Sequence, residues 1–253
     1  MTQHFTTPAN RSLAYRQTTG TSGHNLVWLS GFNSDMQGSK VLELEGWAKA
    51  AGHGFLAFDY SGHGESGGNF QNGTISAWRD DTLAILEALT DGPQILVGSS
   101  MGGWIALLAA IARPGRVSAM VLIAPAPDFT AKLMWPSLPA DAQIEITQAG
   151  VWMQPSDYGE PVPITRALIE DGARNQVLNT PIAFDGPVRI LQGMQDPDVP
   201  WRHAESLVTA LTTDDLTFTL VKDGDHRLSR PQDIARLVAT CHALTAPAAP
   251  PAR

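Results

Sequence analysis

The sequence predicts a mostly parallel, doubly wound α/β sheet interrupted by one long excursion. Three observations predict it. Strand-sized apolar runs recur along the chain, and most are near-continuously apolar, as strands covered on both faces require. Helix-sized stretches separate them. One interval past the middle breaks the rhythm. With 253 residues, 43% of them hydrophobic, the chain can bury the core of one large domain.

In chain order the expected strands are NLVWLS, GFLAFDY, PQILVG, SAMVLIAPA, PVRILQG and LTFTLVK. The expected helices are VLELEGWAKAAG, TISAWRDDTLAILEALTDG, MGGWIALLAAIARPG and AESLVTALTTDD, and Thr74 is placed to cap the second. Between APAPDF and GPVRILQG no convincing strand is legible. That interval holds Trp135, Trp152, Tyr158, repeated prolines and one helix-like stretch, TRALIEDGARNQVLN. It reads as a small cap insertion, about residues 127–185, over the carboxyl edge of the sheet, where ligands bind in open α/β sheets. A single domain would then span 1–245, and the Ala- and Pro-rich tail, 246–253, would be disordered.

The net charge of −8 and the lack of a basic patch argue against a nucleic-acid partner and disfavour polyanionic substrates. No apolar run reaches membrane-spanning length, and MTQHFTTPANRSLAYRQ lacks the apolar core of a signal peptide. The one cysteine, Cys241, excludes an intrachain disulfide and fits a reducing compartment, so the expected location is cytoplasmic. Cys241 itself reads as a small apolar helix residue. Oligomeric state is not legible.

Chemistry concentrates at ILVGSSMGGW, residues 95–104. A nucleophilic serine on such a sheet needs Gly-x-Ser-x-Gly at a strand-to-helix turn too sharp for flanking side chains. Gly98-Ser99-Ser100-Met101-Gly102 fits with Ser100 at its centre; Ser99 would be flanked by Val97 and Met101. The pattern also occurs at Gly64-Glu65-Ser66-Gly67-Gly68, but there it sits in loop chemistry, FDYSGH before and NFQNG after. Ser66 therefore reads as a solvated turn residue.

A serine needs a base, and the base needs an orienting carboxylate. Asp196 stands just off the strand VRILQG and is the expected acid; Asp198, beyond Pro197, is its rival. His226 follows LTFTLVK through DGDH and is the expected base, with Asp225 as a turn residue. His4, His24, His53, His203 and His242 read as structural or solvated, and His63 could touch ligand from its glycine-rich loop. The oxyanion donors would be the backbone N–H groups of Met101 and of Phe32 in the loop Gly31-Phe32. Phe32, Met36, Met101, Met134, Trp135, Trp152 and Met153 are candidates for an acyl pocket, with Gly31, Trp135 and Trp152 singled out as substrate contacts; Trp104 reads as core.

LSGF, FDYSGHGES, VGSSMGGW, LQGMQDPDVPW and DGDHR, in this order, resemble the serine hydrolases of the α/β-hydrolase superfamily over nearly the whole chain. The resemblance implies the α/β-hydrolase fold, and carries nucleophile, acid and base onto Ser100, Asp196 and His226. DGPQILVGSSMGGW, AAIARPGRV, GMQDPDVPW and MQGSK are similar to the branch that holds mitochondrial acyl-protein thioesterases and acyl-glucuronide esterases. That implies cleavage of carboxylic esters or thioesters of a small-molecule or acyl-bearing substrate, without metal or cofactor. Serine at position 100 disfavours the aspartate-nucleophile relatives. The alternative is a binding module that keeps the pocket and turns over poorly.

Overall fold

The computed structural model describes residues 1–155 and 160–246. The chain opens with β1 (Gln3–Thr6), β2 (Ser12–Thr18), β3 (Asn25–Leu29), α1 (Ser39–Ala50), β4 (Gly54–Phe58), α2 (Ile75–Leu89), β5 (Gln94–Ser99), α3 (Met101–Ala112) and β6 (Val117–Ile123). An excursion follows: a π-helical turn over Thr130–Met134, α4 (Trp135–Ser137), α5 (Ala140–Ala149), β7 (Val151–Gln154), β8 (Val162–Thr165) and α6 (Arg166–Arg174). The sheet resumes with β9 (Val188–Gly193), α7 (Trp201–Ala210), β10 (Leu216–Val221) and α8 (Pro231–Thr245).

Eight strands form one sheet in the order β1-β2-β4-β3-β5-β6-β9-β10. Strands β3, β4, β5, β6, β9 and β10 are parallel, and β1 and β2 join antiparallel. All six strands read from the sequence are present. The two antiparallel strands were not legible, because QHFT is almost wholly exposed and SLAYRQT mixes apolar and polar residues without a run.

Side chains alternate between two cores. Val27 and Leu29 of β3, Leu56 and Phe58 of β4 and Leu96 of β5 pack with Trp78, Ile85, Trp104 and Leu207, under α2, α3 and α7. Leu26 and Trp28, Phe55 and Ala57, and Ile95 and Val97 pack with Val41, Leu44, Leu237 and Cys241, under α1 and α8. Burial on both faces is why these strands read as continuous apolar runs. Cys241 is fully buried, and burial pushes its thiol up to about 12, so it is core. Among the described residues no helix is long and apolar enough to cross a membrane.

The excursion corrects one expectation. It contains a hairpin, with Trp152 of β7 opposite Ile164 of β8 and Met153 opposite Pro163. Four-residue strands, one carrying a proline, are too short and too irregular to show period-two patterning. The helix expected in TRALIEDGARNQVLN is α6, capped by the Thr165 side chain. Leu138, Ala142, Ile146 and Ile164 give the excursion a core of its own. Tyr158 and residues 247–253 of the tail lie outside the described residues.

Candidate active site

β3 and β5 are neighbours in register, Leu29 beside Gly98. The loops leaving their carboxyl ends therefore start side by side. β3's chain continues towards β4 on one side, and β5's towards β6 on the other, which opens a crevice at this switch point.

Ser100 fills that crevice on a strained turn, with φ 54° and ψ −116°. The turn tolerates only glycine on its flanks. A Cβ on Gly98 would lie 2.4 Å from the Gly102 carbonyl oxygen, and one on Gly102 would lie 2.0 Å from that of Leu29. The Ser100 N–H donates to the Ile123 carbonyl at 2.8 Å, and the Ser100 carbonyl accepts from Gly103 and Ala126. The end of β6 thus pins the turn. α3 then runs into the core with Met101 to Ala110 all buried.

His226 and Asp196 arrive from the last two parallel strands. A Cβ on Gly193 would lie 2.3 Å from the Gly224 carbonyl oxygen, so the two loops touch backbone to backbone. Asp196 Oδ2 accepts from His226 Nδ1 at 2.8 Å, and His226 Nε2 accepts from the Ser100 hydroxyl at 3.1 Å. A carboxylate offers no hydrogen, so Nδ1 carries the ring proton and Nε2 is the free base. Asp196 is fully shielded, whereas the imidazole is 23% exposed. Asp196 Oδ1 accepts from the backbone N–H groups of Asp198 and Val199, and Oδ2 also accepts from Gln192 Nε2 at 3.0 Å.

Asp198 is exposed and makes no hydrogen bond to His226 among the described residues; it caps the loop by its own N–H. Asp196, Asp198 and His226 offer ligand atoms within 4.8 Å of one another, the one such group among the described residues. Binding a cation there would break the hydrogen bonds that already occupy Asp196 and the imidazole.

Gly31 lies against Ser100: a Cβ built on it would sit 3.4 Å from the Ser100 Cβ. The N–H groups of Phe32 and Met101 make no hydrogen bond among the described residues. Met101 opens α3, so its N–H also carries the positive end of the helix dipole. Asn33, at φ 51°, donates its N–H to His63 Nε2 at 3.3 Å, which anchors the loop beside Phe32. His63 is buried among Tyr60, Phe70 and Trp78. Burial pulls its pKa down to about 4, and its Nδ1 donates to the Ser61 carbonyl at 3.4 Å.

Ser66 is structural. Its hydroxyl donates to the Asp59 carbonyl at 2.6 Å and accepts from the Ala14 N–H at 2.8 Å, tying the glycine-rich loop to β2. The Asp59 carboxylate takes the Met36 and Glu65 N–H groups, and burial raises its pKa against those bonds.

Two cavities share Phe32, Ser100 and His226. One, of about 570 Å³, lies under the excursion and is walled by apolar side chains such as Phe129, Leu133, Met134, Leu138 and Val199. The other, of about 430 Å³, lies over the start of α1 and is walled by Ser30, Ser34, Lys40, Ser99 and Arg227. Lys40 Nζ donates to Ser99 Oγ at 3.1 Å and to the Arg227 carbonyl, so it staples α1 to both β5, which leads to Ser100, and the loop that carries His226. Burial, opposed by Asp225, lowers its pKa to about 8. Of the expected pocket residues, Phe32 and Met134 line the apolar cavity. Met36, Met101 and Trp104 are buried core, and Met153 is exposed. The expectation for Trp135 and Trp152 is corrected: neither lines these cavities, and both pack on the excursion's own core, which needs large side chains to close.

The sequence reading passes over Lys40 and Gln192. A polar residue inside the apolar strand VRILQG was the available signal for Gln192; for Lys40 there was none.

The alpha/beta hydrolase family profile matches residues 20–238. The chain belongs to the alpha/beta hydrolase family. The palmitoyl-protein thioesterase ABHD10, mitochondrial, of Rattus norvegicus is 40% identical to this alpha/beta hydrolase over 235 residues, covering 92% of this chain and 78% of its own length. The solved structure of alpha/beta hydrolase domain-containing protein 10 from mouse superposes with a TM-score of 0.87 at 37% identity, covering 96% of this chain and 98% of its own. A crystal structure from Agrobacterium vitis S4 superposes with a TM-score of 0.93 at 46% identity, covering 97% of this chain and 99% of its own. Of these relatives, the rat protein is named a thioesterase.

They also overturn the cytoplasmic expectation, since the rat, bovine and human relatives are all named mitochondrial. A single reduced cysteine constrains the redox state of a compartment, not which compartment it is.

Proposed function

We propose that this alpha/beta hydrolase cleaves carboxylic esters and thioesters through an acyl-enzyme on Ser100, with His226 as base and Asp196 orienting it. The observation that carries the reading is the unbroken relay of hydrogen bonds from Asp196 Oδ2 through His226 to Ser100 Oγ. The Ser100 oxygen attacks the carbonyl carbon while its proton passes to His226 Nε2. The negative oxygen that forms is received by the N–H groups of Phe32 and Met101, each worth roughly a hundred- to a thousandfold in rate. Collapse breaks the bond to the leaving group, which takes the proton from His226. Water then repeats the cycle on the acyl-enzyme and frees the acid.

The cavities favour one orientation of substrate. The apolar chamber suits an acyl chain, and the hydroxyl- and cation-lined chamber suits the leaving group. The names of the ABHD10 relatives support a fatty acyl group on a protein thiol as one substrate of this kind.

The test is hydrolysis of p-nitrophenyl esters and matched acyl thioesters from two to sixteen carbons, with Ser100→Ala alongside. We expect turnover in wild type, loss of roughly a millionfold in the variant, and a chain-length optimum set by the apolar chamber. Residual Ser100→Ala activity near wild type sinks the acyl-enzyme. Absence of both turnover and fluorophosphonate labelling in wild type would instead favour a binding module.

A further inference from the structure

We propose that Gln192 is a positioning residue for this reaction: its side-chain amide fixes the Asp196 carboxylate oxygen that faces His226. The inference rests on the acyl-enzyme reading above.

Gln192 is the fifth residue of β9 and is fully buried between apolar neighbours. A buried primary amide has two N–H groups and one carbonyl oxygen to satisfy. Three oxygens surround Nε2: Asp196 Oδ2 at 3.0 Å, the Val199 carbonyl at 3.0 Å and the Gly193 carbonyl at 3.1 Å. Oε1 finds no partner among the described residues. The orientation is forced, because a half-turn of the amide would set Oε1 against three oxygens with no hydrogen between them.

A methionine or leucine would fill this strand position without an orphaned carbonyl. Gln192 instead leaves a buried acceptor unpaired and aims both N–H groups at the acid loop. Such an uncompensated group calls for a reason, and the site supplies one. Backbone N–H groups hold Asp196 Oδ1. Among the described residues Oδ2 has only Gln192 and His226. Gln192 is therefore the fixed side-chain restraint on Oδ2 that does not itself move with the imidazole. It keeps the carboxylate plane aimed at Nδ1, and so keeps Nε2 aimed at Ser100. By binding the Val199 carbonyl it also closes the acid loop back onto its own strand.

The test pairs two variants in the Ser100-dependent ester assay. Gln192→Met keeps length and apolar packing and removes the donors. We expect kcat to fall roughly ten- to a hundredfold with KM within about twofold. Gln192→Glu sets an ionisable group among three oxygens. The charged groups on this side of the sheet are Asp196, Asp198 and His226. Burial and the neighbouring carboxylate favour its protonated form, which can donate to Oδ2 as the amide does. Its activity should approach wild type at the acid end and fall as the pH rises and that proton is lost, adding a basic limb that wild type lacks. A merely structural role would shift the melting temperature and leave the pH profile alone.

A Gln192→Met kcat within twofold of wild type overturns the proposal. So does a Gln192→Glu pH profile that superimposes on wild type, or failure of both variants to fold at every pH. Turnover that survives Ser100→Ala removes the acyl-enzyme reading as well, a result distinct from Ser100-dependent turnover indifferent to position 192.

Discussion

At Gly102 the spacing between two backbones decides whether the turn that lifts Ser100 off the sheet can form at all. A methyl group there would meet the Leu29 carbonyl oxygen at 2.0 Å, and backbone cannot yield as a flexible side chain would. Gly102→Ala should therefore cost about 1–3 kcal/mol of stability, the range for overpacking, and push β3 away from the turn that carries Ser100. Urea unfolding with ester turnover on the same preparation checks this; wild-type behaviour in both would mean that the turn relaxes freely. The Gly-x-Ser-x-Gly spacing is local, which is why Gly98 and Gly102 could be read from the sequence and marked Ser100 over Ser99; the apolar strand before it and the apolar helix after it set it apart from Ser66. The restraints on Ser66, Lys40 and His63 were not legible. Each is a partnership between residues far apart in sequence: Lys40 with Ser99 and Arg227, His63 with Asn33, Ser66 with Ala14. Residue type alone does not announce a partner that only closure of the fold supplies.

Among the elements, the six parallel strands were legible because burial on two faces leaves a continuous apolar signature. The hairpin β7–β8 was not, since its pairing rests on few residues and on the excursion's small core. That excursion is held to the sheet domain by specific polar anchors. The buried Asp171 of α6 accepts the N–H and the hydroxyl of Ser76, at 2.7 and 2.9 Å, in the first turn of α2. The carboxylate there also meets the positive end of the α2 dipole. Trp104 Nε1 donates to the Asn175 carbonyl at 3.2 Å, just past α6. Asp171→Ala should loosen the roof of the apolar chamber at a cost of about 1.5–3 kcal/mol, the scale of hydrogen bonds to a charged group. KM for long acyl chains should rise more than KM for acetyl esters. Equal changes across the chain-length series would show that the anchor does not shape the chamber.

The molecule as a whole carries a pH dependence that its composition conceals. His63 has a folded pKa of about 4, lowered by burial, against an ordinary value of 6.5. The unfolded chain therefore binds this proton more readily than the folded one. Stability from this group is complete above pH 6.5, declines as the pH falls towards 4, and amounts to about 3 kcal/mol. Urea midpoints between pH 7.5 and 4 should fall more steeply in wild type than in His63→Gln, whose amide can still accept from Asn33 and donate to Ser61. Parallel slopes would assign the acid sensitivity elsewhere. Activity should fail in the same window, because a protonated His63 has no lone pair for the Asn33 N–H and the loop bearing Phe32 loses its anchor. The two chambers that meet at Ser100 have a further consequence for the order of events. In the proposed orientation, once the bond breaks, the alcohol or thiol would stand in a hydrophilic vestibule while a fatty tail would still fill the greasy one. The vestibule can empty and refill with water without disturbing the tail. On that reading hydrolysis would be a one-sided exchange at the mouth of the enzyme, with the free acid the last to go.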